Sequence, residues 1–242
     1  QRVKEEQQRV KQSLKKRGID AQWTHTFQTV LNGFSMKVDA TSLSEIMNVR
    51  GVTYVEPDVV VEAFEEEMSY ETSISMIDTP AFLGAEALWK KGINGKGVKV
   101  AVLDTGIDAN HPDLKPVYKG GKNFIPHDET MYRTKRADDD ASETSPDERA
   151  PEASPEGFET THGTHVAGTI AAQGKNKYNV KGIAPGVDLY AYRVLGAYGS
   201  GYTSNIIAAI DESVKEGMEV IDLSLGGGVN TELDARSFAI NN

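Results

Sequence analysis

Hydrophobic residues are sparse in the first quarter of the chain, where they recur at helical or alternating spacing. Residues 1–17 place valine and leucine side chains on one helical face, and Gly18 is typical of a helix stop. Two extended runs flank Asn32-Gly33, a dipeptide that favours a hairpin turn. A short helix opened by the capping box Ser42-x-x-Glu45 and a further strand-like run follow. The pattern predicts a small α+β unit that ends near residue 64.

Longer and nearly continuous apolar runs mark the second part of the chain. They cover residues 98–104, 187–195 and 218–225. Such runs are typical of strands that are buried on both faces of a sheet. Between them lie a helix rich in glycine and alanine after His165 and an amphipathic helix over residues 203–216. This alternation of strands and helices predicts a parallel α/β sheet.

Composition narrows the classes of function. The 242 residues suffice for one large and one small domain, and their formal net charge of −10 argues against nucleic acid as a partner. No apolar run approaches the roughly 20 residues of a membrane-spanning helix. The chain has no cysteine, so it holds neither a disulfide nor a thiolate nucleophile. Residues 126–158 contain ten acidic residues, four basic residues and four prolines, which predicts a solvated, irregular insert.

Asp104 and His162 are the residues best placed for chemistry. Asp104 ends the buried run VKVAVLD, and the carboxyl ends of parallel strands are where ligands and catalytic groups collect. His162 opens a helix of small residues that can approach the sheet closely and hold an imidazole rigidly. A neighbouring carboxylate would fix the tautomer of that imidazole, as acid–base catalysis requires. We interpret His165, three residues further on, as a packed histidine behind His162.

Two other interpretations of these residues stay open at this point. Asp104 could form an Asx turn or cap a helix, with both histidines simply packed in the fold. Alternatively, His162 and His165 could bind a metal ion together with one further ligand. The candidates for that ligand are Asp108, His111 and Asp113. The H-x-x-H spacing is only weakly diagnostic, because no third ligand shares its segment.

Four segments resemble the successive core blocks of the subtilisin family of serine proteases, and they occur in the family's order. They are VAVLDTGIDANHPDLK, HGTHVAGTIAA, VKGIAPGVDLYAYRVLGAYGSG and VIDLSLGGG. The resemblance implies that Asp104 and His162 are the first two members of an Asp-His-Ser triad. It also implies an α/β catalytic domain built on a parallel sheet.

The segment LNGFSMKVDATSLSEIMNVRGVTYVEPDVVVEAF is similar to the inhibitor-type propeptide of the same family. We therefore expect a ferredoxin-like α+β propeptide over residues 1–64, which lacks a first strand that the family has, and a peptidase domain over residues 65–242. The acidic insert 126–158 interrupts the peptidase domain. The propeptide would act as an intramolecular inhibitor, with its junction between Phe64 and Glu65 and Phe64 in the first specificity pocket.

Two further sites follow from the resemblance. An extended peptide substrate would lie between two backbone segments, formed by Gly199, Ser200 and Gly201 and by Ser224, Leu225, Gly226 and Gly227. A structural calcium ion (Ca2+) would be held by the side chains of Asp113 and Asn176 and the backbone carbonyls of Tyr178 and Val180. The loop QGKNKYNVKG is one residue longer than the family's usual loop and carries three lysines, which weighs against that ion.

The family's G-T-S-x-A block, which carries the nucleophilic serine, and its side-chain oxyanion donor are absent from the 242 residues. The resemblance therefore predicts a secreted or cell-envelope serine endopeptidase, in proprotein form, whose serine lies beyond this chain. Proteins or peptides would be its substrates, and the 242-residue chain alone would be inactive. Two alternatives remain, an inactive complex of propeptide and scaffold and a metal-dependent hydrolase.

Overall fold

A computed structural model of the chain describes residues 1–63, 78–125, 139–145, 161–226 and 234–242. It divides into two compact units. The first comprises Gln1–Val60, Tyr202–Glu216 and Gly228–Asn242, and the second comprises Val61–Gly201 and Gly217–Gly227. Both residues of the expected propeptide junction, Phe64 and Glu65, lie outside the described residues, so the domain boundary stays a prediction.

Helices and strands are interspersed along the described chain. The helices are α1 (Arg2–Lys16), α2 (Leu43–Met47), α3 (Thr79–Phe82), α4 (Ala85–Trp89), α5 (His162–Ala171), α6 (Thr203–Lys215) and α7 (Ala235–Asn241). The strands are β1 (Gln22–Phe27), β2 (Gly33–Lys37), β3 (Val60–Ala63), β4 (Lys99–Asp104), β5 (Tyr118–Asn123), β6 (Asp188–Arg193), β7 (Ser200–Tyr202), β8 (Val220–Asp222) and β9 (Leu225–Gly226). No helix in the described ranges is long and apolar enough to cross a bilayer.

In the first unit, α1 packs one apolar face on a core formed by Val10, Leu14, Ile19, Ile46 and Val49. The helix ends where the sequence predicts, since Gly18 adopts the left-handed conformation with φ 74°. β1 and β2 pair antiparallel, but the turn expected at Asn32-Gly33 is absent. Gly33 already belongs to β2, and residues 28–32 form a longer connection instead. The expected capping box is also absent, because Asp39 accepts the Thr41 N–H and Ser42 makes no side-chain cap.

In the second unit, the predicted parallel sheet is confirmed, with strand order β5-β6-β4-β8. β4 is central, because it pairs parallel with β6 over its whole length and with β8 through Val100–Val102. Its residues from Val100 to Asp104 are all buried, which accounts for its continuous apolar run. Helix α5 packs Ala167 and Ala171 on the core that includes Val100, Val102, Leu189 and Ala191.

The edge strand β5 is not visible in the hydrophobic pattern. Its sequence YKGGKN has two glycines and two lysines and no apolar run. Gly121 allows β5 to approach β6 closely enough to pair, because a Cβ atom there would lie 1.9 Å from the carbonyl oxygen of Ala191. A strand whose side chains are absent or solvated leaves no periodic signal.

The described part of the acidic insert is packed, although its composition predicts a solvated loop. Ala141 and Thr144 are 2% and 1% exposed. The Ile107 N–H donates to the Ala141 carbonyl at 3.1 Å, and the Glu143 N–H donates to the Ile107 carbonyl at 3.3 Å. The expectation was wrong for residues 139–145, which lie on the turn after Asp104.

Candidate active site

Asp104 and His162 meet at the carboxyl end of β4. The Asp104 carboxylate is buried, and its two oxygens lie 2.8 and 2.9 Å from His162 Nδ1. The Thr105 N–H also donates to Asp104 Oδ1 at 2.6 Å. Because an ionised carboxylate can only accept, the proton of the neutral imidazole sits on Nδ1 and faces Asp104. In this tautomer the other ring nitrogen, Nε2, carries the lone pair that can accept a proton from a substrate or nucleophile.

His162 is the first residue of α5, and the first turn of that helix is held by side chains from other segments. Thr161 precedes the helix but makes no side-chain cap. The Gly163 N–H instead donates to Thr105 Oγ1 at 2.9 Å, and the Thr164 N–H donates to Glu143 Oε2 at 3.1 Å. Gly163 must be small, because a Cβ there would lie 2.2 Å from the carbonyl oxygen of Gly106. These contacts fix the backbone from which the imidazole projects.

Two further carboxyl groups lie close to the Asp104–His162 pair, and sequence reasoning missed both. Burial raises the pKa of Glu143 to about 7, and the charge of Asp104 adds to the rise. Burial also raises the pKa of Asp222, with a further contribution from Asp104 and an opposing one from the Ser224 hydrogen bond. Asp222 ends β8 as Asp104 ends β4, so the strand-end rule could have found it. Glu143 offered no such signal, because it stands among many acidic residues.

His165 does not support either the packed or the metal-binding interpretation. Its side chain is exposed, so the expectation of a packed histidine behind His162 was wrong. No group of three or more histidine, aspartate or glutamate residues in the described segments could hold a metal ion. His111 instead accepts the Asp113 N–H through Nδ1 at 3.3 Å, a local contact within its own turn.

Most residues expected to bind substrate belong to a three-stranded sheet with order β7-β3-β9. The middle strand, β3, comes from the region expected to be the propeptide. Ala63 donates its N–H to the Gly199 carbonyl at 2.9 Å, and Glu62 and Ala63 pair antiparallel with Gly226 and Leu225. A Cβ at Gly201 would lie 2.2 Å from the Val194 carbonyl oxygen, so this strand also needs a glycine. Ser200 lies in β7, Ser224 donates to Asp222 at 3.0 Å, and Gly227 falls outside the described residues.

Three of the expected calcium ligands lie in the loop 173–181, and the fourth, Asp113, packs against that loop from a separate segment. Asp113 accepts the Lys175 N–H through Oδ1 at 2.6 Å and the Asn176 amide through Oδ2 at 2.8 Å. Asn176 Nδ2 also donates to the Val180 carbonyl at 3.0 Å, while its Oδ1 accepts the N–H groups of Tyr178 and Val180 at 3.0 and 3.2 Å. The side-chain amide of Asn176 therefore occupies the centre of this group.

In the first unit, residues 25–59 bond to the starts of α6 and α7 and to the polar face of α6. Asp58 accepts the Ser204 N–H at 2.9 Å and the Ser204 hydroxyl at 2.5 Å. Glu56 accepts the Ala235 N–H at 3.1 Å. Asp211 on α6 accepts the N–H groups of residues 28, 29 and 30 at 2.6–3.1 Å through Oδ1. Acidic side chains thus fix this segment to both helices.

Two family models match the chain in succession. The model of the peptidase inhibitor I9 family matches residues 1–64, and that of the subtilase family matches residues 95–242. The chain is 39% identical to the minor extracellular protease Vpr of Bacillus subtilis (strain 168) over 89% of its length, which covers 25% of that protein. It is 37% identical to subtilisin E of the same strain over 81% of its length and 43% identical to subtilisin of Bacillus pumilus over 59%. It spans 42% of each of these two relatives.

Proposed function

This chain belongs to the subtilase family, and we propose that it forms the N-terminal part of a secreted serine endopeptidase in its proprotein form. The observation that carries the proposal is the contact between the buried Asp104 carboxylate and His162 Nδ1 at 2.8 Å. The inhibitor-family match over residues 1–64 supports a proprotein, and the word extracellular in the name of one relative supports secretion.

His162 acts as the general base of the proposed reaction. Its Nε2 removes the proton from the hydroxyl of a serine outside these 242 residues while that oxygen attacks the scissile carbonyl carbon. The imidazolium then returns the proton to the leaving amine, and water repeats the cycle on the acyl-enzyme. Asp104 keeps the ring in the required tautomer and stabilises the imidazolium, without taking the proton itself.

Substrates are extended peptides that bind as an added strand. The position of β3 between β7 and β9 supports this mode, because backbone groups of Gly199 and Gly226 are available to a strand at that place. In the proprotein, β3 occupies the position and excludes substrate, so residues 1–64 act as the chain's own inhibitor. Cleavage between Phe64 and Glu65 would release this strand from the junction.

The loop around Asn176 is the proposed calcium site. Carboxylate, amide and carbonyl oxygens are ligands that Ca²⁺ takes, and Asp113 Oδ2 and the Val180 carbonyl converge on the Asn176 amide group. Rotation about the last torsion of Asn176 would supply a third oxygen, but it also removes the acceptor of the Tyr178 and Val180 N–H groups, so ion binding would have to move this loop as well. The Tyr178 carbonyl would complete the set, and a bound ion would hold residues 173–181 to Asp113.

Peptidase activity of the longer protein that contains this chain tests the proposal. The substrate is a chromogenic peptide with phenylalanine at the first specificity position, which matches Phe64. We expect turnover that a serine-directed reagent blocks and that Asp104→Asn lowers roughly 10⁴-fold, because the wrong histidine tautomer results. His165→Ala is the matched control, since this histidine is exposed and should leave turnover unchanged. Full activity of His162→Ala would refute the assignment.

A further inference from the structure

Residues 139–145 of the acidic insert lie directly on the turn that follows Asp104. Two backbone hydrogen bonds join Ile107 to Ala141 and Glu143. The approach is close, because a Cβ at Gly106 would lie 2.5 Å from the Ser142 carbonyl oxygen. Residues 139–145 are therefore part of the wall around the Asp104–His162 pair.

Arg193 fixes the same contact from the neighbouring strand. It ends β6 opposite Asp104, and its side chain is completely buried. Its guanidinium donates to the Thr105 carbonyl at 3.2 Å, to Asn123 Oδ1 at 3.1 Å and to Thr144 Oγ1 at 3.1 Å. One rigid planar group thus ties the turn after Asp104 to the residue that follows Glu143.

Glu143 reaches from this segment to the first turn of α5. Its Oε2 accepts both the N–H and the hydroxyl of Thr164 at 3.1 Å. The first N–H groups of a helix have no partner within the helix, and Thr161 supplies none here. Glu143 therefore caps α5 from outside, two residues after His162. The negative charge of an ionised carboxylate also favours this end of the helix dipole.

The surroundings of Glu143 make its charge sensitive to pH near neutrality. Its Oε1 atom is buried and has no hydrogen-bond partner among the residues described. Burial raises its pKa to about 7, although the hydrogen bonds from Thr164 and the nearby Thr105 hydroxyl act in the opposite direction. Asp104 on β4 is the charged neighbour that adds to this rise. The other titratable groups that surround it come from three elements. His162 on α5 bonds to Asp104, and Asp222 on β8 interacts electrostatically with both of them. Arg193 on β6 donates to Thr144, the residue after Glu143.

We propose that Glu143 is a positioning residue for His162, which holds the first turn of α5 and adjusts the proton affinity of the imidazole through its own charge. The inference rests on the proposed function only for the consequence in catalysis. Ionised Glu143 adds a second carboxylate near the imidazolium beside Asp104, and so favours the protonated ring. Neutral Glu143 withdraws that support and weakens the cap on α5.

The first test is an NMR titration of the His162 ring in the 242-residue chain, which needs no peptidase activity. Glu143→Gln keeps an oxygen for Thr164 and removes the charge. We expect the titration midpoint of His162 to move to lower pH by about 0.5 unit, and a second inflection near pH 7 to disappear. Asp139→Asn is the matched control, because it removes an exposed carboxylate from the same segment and should change neither feature. An identical His162 titration in folded wild type and Glu143→Gln would overturn the proposal.

The second test measures kcat and KM against pH in the active longer protein. We expect the acidic limb of the profile to move to lower pH in Glu143→Gln, with KM unchanged. Glu143→Ala, which also removes the cap, should lower kcat about tenfold with little change in KM. If Glu143→Ala fails to fold, the pH profile of Glu143→Gln alone tests the role of Glu143. An inactive wild-type protein would refute the proposed function, whereas an unshifted profile in active Glu143→Gln would refute the role of Glu143.

Discussion

Replacement of Asp211 by alanine tests how firmly residues 28–30 are held on α6. Asp211 is 8% exposed, and its Oδ1 accepts three consecutive backbone N–H groups at 3.1, 2.6 and 2.9 Å. These contacts also account for the long connection between β1 and β2. The three amides belong to the segment that the inhibitor family model matches, and Asp211 belongs to the subtilase match. The substitution therefore weakens one anchor of the inhibitor segment.

The expected loss follows from the exposure of the three amides. Val30 is buried, so water cannot replace the lost acceptor of its N–H. This lowers the free energy of unfolding by about 1–3 kcal/mol. Residues 28 and 29 are exposed, so water replaces the carboxylate there and each amide costs about 0.5 kcal/mol. The sum for Asp211→Ala is about 3 kcal/mol, which is roughly a hundredfold in the equilibrium constant. Asp211→Asn keeps the shared oxygen acceptor, so its loss should be about 1 kcal/mol.

Urea unfolding of the intact chain measures the free energy, and amide hydrogen exchange locates it. We expect exchange at residues 29 and 30 to accelerate most in Asp211→Ala, less in Asp211→Asn and not at all in Asp20→Asn. Asp20 is an exposed aspartate and serves as the control for the loss of a carboxylate. Equal protection of these amides in wild type and Asp211→Ala, with no change in unfolding free energy, would show that the carboxylate does not hold the segment.

Two further predictions concern pH and calcium. The pKa of Glu143 is about 7 in the fold and near 4.5 when unfolded, so between these values the native chain keeps a proton that the unfolded chain has released. The contribution of Glu143 to the free energy of unfolding therefore falls by about 3 kcal/mol as pH rises from 4.5 to 7. Urea unfolding of Glu143→Gln should show no such fall. An identical pH dependence in both proteins would contradict the raised pKa. Calcium should raise the Tm of the chain, a chelator should lower it again, and Asp113→Asn should remove the response; a Tm independent of calcium would exclude the site at Asn176.

The parts of the fold that the sequence predicted are those with a strong local signal. Helix α1 and the parallel sheet follow from apolar periodicity, and the place of Asp104 follows from the rule about strand ends. The edge strand β5 escaped prediction because its side chains carry no pattern. The Asn32-Gly33 turn was wrongly placed because Asp211, far away in sequence, decides the path of residues 28–30.

Within the candidate site, the pairing of Asp104 with His162 was predictable, but the residues around it were not. Asp222 ends β8 as Asp104 ends β4, so the strand-end rule applies to it equally. Glu143 stands in a stretch whose composition is typical of solvated loops, and only the packing of Ala141 and Thr144 shows otherwise. Composition reports the average preference of a segment, whereas a single buried carboxylate depends on the few atoms around it.

The same limit applies to the beginnings of two helices, α5 and α6, and to one N–H group at the beginning of α7. Local rules look for a cap in the residue before the helix, yet Thr161 before α5 and Tyr202 before α6 make no side-chain cap. The caps come instead from carboxylates that are 21 positions away for α5 and 146 for α6. Helix α7 is capped locally by Asp234, and Glu56, 179 positions away, accepts a further N–H of its first turn. Such contacts form only when distant segments have come together, so the first turns of these helices gain a partner late in folding. In α6 and α7 that partner is Asp58 or Glu56 of the inhibitor-family segment. In a peptidase region without this segment, those N–H groups would bond to water instead. This gives a physical reason why the segment would support folding, in addition to its proposed occupation of the substrate position.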